Sequence, residues 1–349
     1  MNRGAARFAP GVSRPEERGA VPPLRVAVVG TGEWWGRQHA ELFAARTDTS
    51  LVAVVGRDPA RTTARAQEFG ARAYVDIDEM IGRERPDLVS VCLPNEAHFE
   101  PTLHLIRCGV PLLVEKPLVF SLDEAETLVA EAAARNLFVA INFNHRYAKP
   151  VRLAAAALAR GDLGRLAFAT WRFGGEAGTS RHPHANLIET QCHGFDMLEH
   201  LCGPITSVMA QLADPSGTGW STLVVALRFA NGAVGSLVGT YDSSYAYPDT
   251  HLVELNGTAG RVLIHDTVRR FSLQRAGDET AHVWRAGYFN DTDRAFHATF
   301  DRHVDDVLAA LREGREPPVP VTAGRRALVL ACAVIRSFEE GIRVSTVDQ

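Results

Sequence analysis

The sequence predicts an α/β domain with a doubly wound parallel sheet, followed by an α+β domain built on an open, mainly antiparallel sheet. Short, continuously apolar runs alternate with helical periodicity from Leu24 to Phe143, as expected of strands buried on both faces. A glycine-rich turn, Gly30-Thr31-Gly32, follows the first of those runs. Beyond Pro150 the runs lengthen and are separated by turn signals, which suits antiparallel strands.

In the first part, strands are expected at Leu24–Val29, Leu51–Val55, Leu88–Leu93, Leu112–Val114 and Phe138–Phe143. Helices are expected through Gln38–Arg46, Ala60–Phe69 and Leu103–Cys108. Ser121 with Glu124 three residues on reads as a capping box for a helix running to about Arg135. In the second part, Leu223–Phe229 and Ala233–Thr240 form a hairpin around Asn231-Gly232. Arg165–Phe173, Ser207–Ala213, His251–Leu255, Arg261–Ile264 and Val268–Leu273 are further strands. A helix from Asn186 to Leu201 is stopped by Gly203-Pro204, and Phe296–Leu311 and Gly324–Glu340 return to helical spacing.

With 349 residues, 46% hydrophobic and 22% charged, the chain has enough apolar content for two globular domains. A net charge of −4 and the lack of a basic stripe exclude a broad nucleic-acid footprint. The longest apolar runs are too short to span a bilayer. The five cysteines are scattered without CxxC spacing, so they read as free thiols in a reducing, cytoplasmic setting. Residues 1–23, rich in Arg, Gly, Ala and Pro, lack a signal-peptide core and are expected to be a disordered extension.

Gly30, Thr31 and Gly32 lie between a strand and a helix, where the backbone can approach a pyrophosphate and the helix N-terminus favours its charge. The third glycine is Gly36, giving GxGxxxG with an extra residue around Trp34-Trp35. An NAD site usually has an acid at the end of the second strand. Here the strand ends Val54-Val55-Gly56-Arg57. Arg57 is available to pair with a 2′-phosphate, so NADP(H) is favoured over NAD(H), with Asp58 as the residue that would favour NAD.

Glu115-Lys116-Pro117 ends the apolar run Leu112–Val114 and places an ammonium group at the carboxyl end of a strand, beside the dinucleotide. Glu189, His193 and Asp196 stand at i, i+4 and i+7, on one face of a helix, and His200 continues the stripe. A carboxylate four residues before a histidine can fix its tautomer and raise its basicity, as a general base for an alcohol proton requires. Lys116 would stabilise the alkoxide. The alternatives are a solvated polar stripe, or a metal site drawing on His182 and His184. Nicotinamide chemistry needs no metal, and none is expected. The loop Arg181–Asn186 presents His184 and Asn186 as candidates for recognising a polyol.

Gly30-Thr31-Gly32 with His39, Pro94-Asn95 with His98, Glu115-Lys116-Pro117 and the Glu189/His193/Asp196 stripe together resemble the Gfo/Idh/MocA oxidoreductases over about Leu24 to Val344. The resemblance implies a Rossmann domain (24–145), a substrate and oligomerisation domain with an open sheet (146–295), and C-terminal helices (296–349) packing back on the first domain. It implies sugar or cyclitol substrates, and homodimers or homotetramers formed through the sheet. It maps the chemistry onto Lys116, His193 and Glu189, with Glu189 where aspartate is commoner and Gln191 where glycine is frequent. Glutamate there either orients His193 from another side or contacts substrate. Cofactor contacts are expected from Trp34, Trp35, Pro94, Asn95, His98, Glu115 and Asn144. Arg146, in the segment crossing between domains, either reaches substrate or braces the interface.

The expected activity is NADP-dependent hydride transfer between nicotinamide and a secondary alcohol or ketone of a sugar or cyclitol. Two competing readings use the same residues: a cofactor-retaining enzyme that processes glycosides through transient oxidation, and a non-catalytic dinucleotide sensor.

Overall fold

The computed structural model describes residues 22–176, 180–217 and 219–347. All but the last two residues of the expected N-terminal extension lie outside them. The first domain alternates β1 (Leu24–Val29), α1 (Trp35–Ala45), β2 (Thr49–Val55), α2 (Pro59–Glu68), β3 (Arg72–Tyr74), α3 (Ile77–Glu84), β4 (Leu88–Val91), α4 (Phe99–Arg107), β5 (Leu112–Val114), α5 (Leu122–Ala134) and β6 (Val139–Ile141). The six strands pair in parallel in the order β3-β2-β1-β4-β5-β6. Val26, Val28, Val89, Leu112 and Leu113 are fully buried, which is why these strands read as unbroken apolar runs. The strand order reverses between β1 and β4, and ligands of such sheets bind outside the strand carboxyl ends at that point.

Ser121 is the N-cap residue of α5, but its side chain makes no capping hydrogen bond, so the expected capping box is not formed. Asp123 and Glu124 in the first turn still complement the helix dipole.

The second domain contains α6 (Lys149–Ala159), β7 (Leu166–Gly174), α7 (Cys192–Cys202), β8 (Ile205–Ala213), β9 (Thr222–Phe229), β10 (Val234–Thr240), β11 (His251–Gly257), β12 (Gly260–His265), β13 (Arg270–Arg275) and β14 (Ala281–Arg285). After it come α8 (Asp291–Arg294), α9 (Ala298–Arg312), α10 (Val321–Glu340) and β15 (Val344–Ser345). The nine strands run β14-β13-β12-β11-β7-β10-β9-β8-β15. All neighbours are antiparallel except β7 and β10, which are parallel. The Asn231-Gly232 hairpin forms between β9 and β10, with Gly232 at φ 89°.

Trp171, Val208, Val225, Leu237 and Val253 fill the inner face of this sheet, under α7 and α10. The outer face leaves Met209, Val224, Val234 and Val283 exposed.

The C-terminal segment divides between the domains. Phe300, Val304, Val307 and Leu308 of α9 join the core beside Val26, Val28 and Leu113. Helix α10 lies between α5 of the first domain and β8 of the second, and β15 pairs with β8. Among the described residues no helix is long and apolar enough to cross a membrane.

Candidate active site

Strand β1 delivers the glycine turn to the start of α1. Gly30 has φ 137°, and a Cβ there would lie 2.2 Å from the Cys92 carbonyl oxygen, so only glycine fits. A Cβ on Gly32 would meet nothing within 4 Å, which leaves the turn open beside the N-terminus of α1. The turn therefore suits a pyrophosphate. Trp34 is exposed, whereas Trp35 packs edge-on against His39, His297 and Phe300, bracing α1 on α9.

At the end of β2, Gly56 has no room for a side chain: a Cβ would meet Thr31 Cγ2 and Thr62 Oγ1 at 2.7 Å. Asp58 caps α2, its Oδ1 accepting from the Arg61 amide at 3.0 Å. Arg57 is exposed. Arg61 Nε donates to Thr31 Oγ1 at 3.1 Å, which brings its guanidinium to the glycine turn. Sequence inspection passed over Arg61, although it lies four residues after Arg57 across the helix start.

Glu115 is buried, and its carboxylate is used within the fold. Oε1 accepts from Asn142 Nδ2 and lies 3.0 Å from His39 Nε2, and Oε2 accepts from the Lys116 amide. His39 Nδ1 meets Ser90 Oγ, and His303 Nδ1 meets Asn142 Oδ1 at 2.9 Å. Burial would raise the Glu115 pKa, but His39, Lys116 and Asn142 outweigh it and hold the group below the usual carboxylate range. This network fixes the backbone that presents Lys116.

Several residues expected to touch cofactor or substrate have their polar atoms engaged by protein. His98 is fully buried, with its ring nitrogens on the Pro117 and Leu93 carbonyls, so it ties β4 to the Lys116-Pro117 segment. Asn144 Nδ2 donates to Thr299 Oγ1 at 2.9 Å. Asn186 Nδ2 donates to the Ser221 carbonyl, and its Oδ1 accepts from Gln191 Nε2. Arg146 makes a two-pronged ion pair with buried Asp196, with Nε to Oδ2 at 2.8 Å. Of the two roles left open for Arg146, this contact is the bracing one. Asn95 is half-buried and Pro94 exposed at the end of β4.

The Glu189/His193/Asp196 stripe is broken. Asn186–Thr190 wind as a π turn, and α7 begins only at Cys192. Glu189 Oε1 and His193 Nδ1 are both buried without a partner, so the carboxylate does not hold that ring nitrogen. Lys116 Nζ instead donates to the Glu189 carbonyl at 3.2 Å, joining the strand end to the π turn.

His193 stacks on His145, with ring centroids 4.0 Å apart and 11° between planes, and meets Phe143 edge-on. Burial, then His145, Lys116 and His251, push the His193 pKa well below the ordinary imidazole value. His251 is pushed down to about 3 by its burial. The Cys192 thiol is driven up to about 12 by burial, which makes it inert as a nucleophile.

Lys116 and buried His193 thus come together where the two domains meet, with the Glu189 carbonyl on Lys116 and its Oε1 left without a partner. His182 packs on Phe120 in the field of Glu189 and Glu96, and its Nδ1 accepts from the His184 amide at 3.1 Å. His184 has Glu339 of α10 among its charged neighbours instead. Thr190 and Tyr241 bond each other beside Glu189 at 2.6 Å. Among the described residues, side chains spaced like metal ligands occur as Asp78, His104 and Cys108, on the exposed faces of α3 and α4.

The model of the oxidoreductase family with an NAD-binding Rossmann fold matches residues 24–143, and that of the same family's C-terminal α/β domain matches 161–346. A D-glucoside 3-dehydrogenase of Escherichia coli is 32% identical over 43% of each chain. A myo-inositol 2-dehydrogenase of Thermotoga maritima is 24% identical over 91% of this chain and 97% of its own. A solved levoglucosan dehydrogenase, in complex with NADH and levoglucosan, superimposes with a TM-score of 0.84 at 20% identity, covering 93% of this chain and all of that one. With both domains matched in order, the chain belongs to the Gfo/Idh/MocA family of oxidoreductases.

Proposed function

We propose that this chain interconverts a secondary alcohol and a ketone on a neutral sugar or cyclitol. The observation that carries this reading is Lys116 at the carboxyl end of β5, its Nζ bonded to the Glu189 carbonyl and its charge acting on buried His193. In the oxidative direction neutral His193 takes the hydroxyl proton, and Lys116 holds the oxygen as it gains alkoxide character. A nicotinamide held at the carboxyl ends of the strands would supply the hydride acceptor for the carbon bearing that hydroxyl. The free Glu189 oxygen accepts a hydrogen bond from a neighbouring hydroxyl, which a substrate lacking that hydroxyl would leave unpaired.

A neutral substrate is favoured because Arg146, in the crossing turn next to His145, is committed to Asp196. A phosphorylated or nucleotide-linked substrate would need such a group free. The substrates in the relatives' names, a D-glucoside, myo-inositol and levoglucosan, support the same class.

The adenosine end of the cofactor site favours NADP(H). Arg57 and Arg61 flank it, Asp58 is turned to cap α2, and Gly56 leaves no room for an acid. Two solved structures of this fold carry NADH or NAD+, at 20% and 17% identity. The exposed apolar residues of the outer sheet face support self-association through that face, and a monomeric mass by light scattering would refute it.

The activity test is a panel of unphosphorylated polyols with NADP+ and NAD+, followed by nicotinamide absorbance. Lys116→Ala should lower kcat by about 100-fold or more on any accepted polyol. Unchanged turnover in that variant would overturn the mechanism.

A further inference from the structure

With Glu189 not holding Nδ1, another group must set the orientation of the His193 ring. We infer that His145 does so, acting as a positioning residue for His193 through ring stacking. The inference rests on His193 being the acid/base group.

His145 lies in the turn that crosses between domains, and that turn and the residues leading into it are pinned to two helices. Asn144 bonds Thr299 of α9, Asn142 bonds His303 of α9, and Arg146 grips Asp196 of α7. The His145 ring is itself boxed in, edge-on to Phe296 at 5.3 Å and to His251 at 5.9 Å, and tilted against Trp171 at 6.2 Å. Its Nδ1 is buried with no hydrogen-bond partner, as is that of His193.

Neither ring is therefore oriented through Nδ1. The near-parallel face contact restricts rotation of His193, while Phe143 closes its edge. Both rings are buried, His145 4% and His193 8% exposed.

The charged and titratable groups facing His193 come from each packed element. They are Lys116 at the end of β5, His145 in the crossing turn and His251 on β11; on its own segment Asp196, one turn on, is paired with Arg146. A proton on His193 is opposed by burial and by the Lys116 ammonium, so the resting ring is the neutral base. Removing the stacked ring should cost orientation and admit water, and water stabilises the protonated form.

The test compares His145→Ala, His145→Leu and His145→Phe in the full-length enzyme on an accepted polyol, with His193→Asn alongside. The expected result for His145→Ala is a kcat about 10- to 100-fold lower, with the polyol and cofactor KM values little changed. Its acid limb of kcat/KM should move to higher pH.

His145→Phe keeps the face and the burial, so it should recover most of kcat and keep the low acid limb. His145→Leu fills the volume without a flat face and should not. Wild-type kcat and acid limb in His145→Ala, or equal loss in Phe and Leu, would overturn the inference. Should His145→Ala fail to fold, the Phe and Leu pair decides alone. If His193→Asn itself retains turnover, the acid/base assignment has failed; if only that variant is impaired, the His145 role has failed and the assignment stands.

Discussion

At the end of β2, Arg57 is exposed, while Asp58 next to it is committed to the α2 cap. Arg57→Ala should lower kcat/KM with NADP+ by about tenfold or more, in line with loss of a charge-assisted contact, and leave the NAD+ value nearly unchanged. Equal loss with both cofactors would contradict a 2′-phosphate role. Lys116 and His193 could be singled out from the sequence because their residue types and positions at the end of a strand and on a helix already imply chemistry. Asn144, Asn186, Arg146 and His98 were harder. Their side chains suit either a ligand or the fold, and only the tertiary partners Thr299, Ser221, Asp196 and the Pro117 carbonyl show how each is used. His145 carried no signal of its own, since stacking on a residue 48 positions away leaves no local pattern.

Turns and helix ends carry the cofactor site. Gly30→Ala must move the Cys92 carbonyl or distort a backbone at φ 137°, so it should destabilise the protein by about 1–3 kcal/mol and weaken dinucleotide binding. Thermal denaturation with and without NADP+ checks both effects, and an unchanged midpoint and ligand shift would contradict the assigned turn. The parallel sheet was legible because its strands are apolar on both faces. β3, β14 and β15 were not, being short or exposed runs with little pattern. The π turn at Asn186–Thr190 was also hidden, since Asn-Leu-Ile-Glu-Thr before α7 reads the same for either winding. That one change separates the Glu189 carboxylate from His193 Nδ1 and brings the Glu189 carbonyl to Lys116.

Across the whole molecule, His145, His193, His251 and His303 are buried, and burial is the largest cause lowering each pKa. The unfolded chain binds these protons near the ordinary imidazole pKa, whereas the folded chain does so only at lower pH. Their contribution is therefore present above about pH 6.5 and is lost as pH falls below it, at up to about 1.4 kcal/mol per pH unit for each histidine. The thermal midpoint should drop between about pH 6.5 and 5, before most carboxylates titrate; a flat midpoint there would contradict the neutral buried histidines. The two-domain order was readable from the change in strand grammar near Pro150, but the division of the C-terminal helices was not, because α9 and α10 have similar periodicity and differ only in what they pack on. Both helices steady the junction where Lys116 meets His193. The most direct measurement there is a crystal structure with oxidised cofactor and an accepted polyol. It should place one substrate oxygen within hydrogen-bond distance of both Lys116 Nζ and His193, with a neighbouring hydroxyl on Glu189; a reacting carbon whose oxygen touches neither Lys116 nor His193 would contradict it.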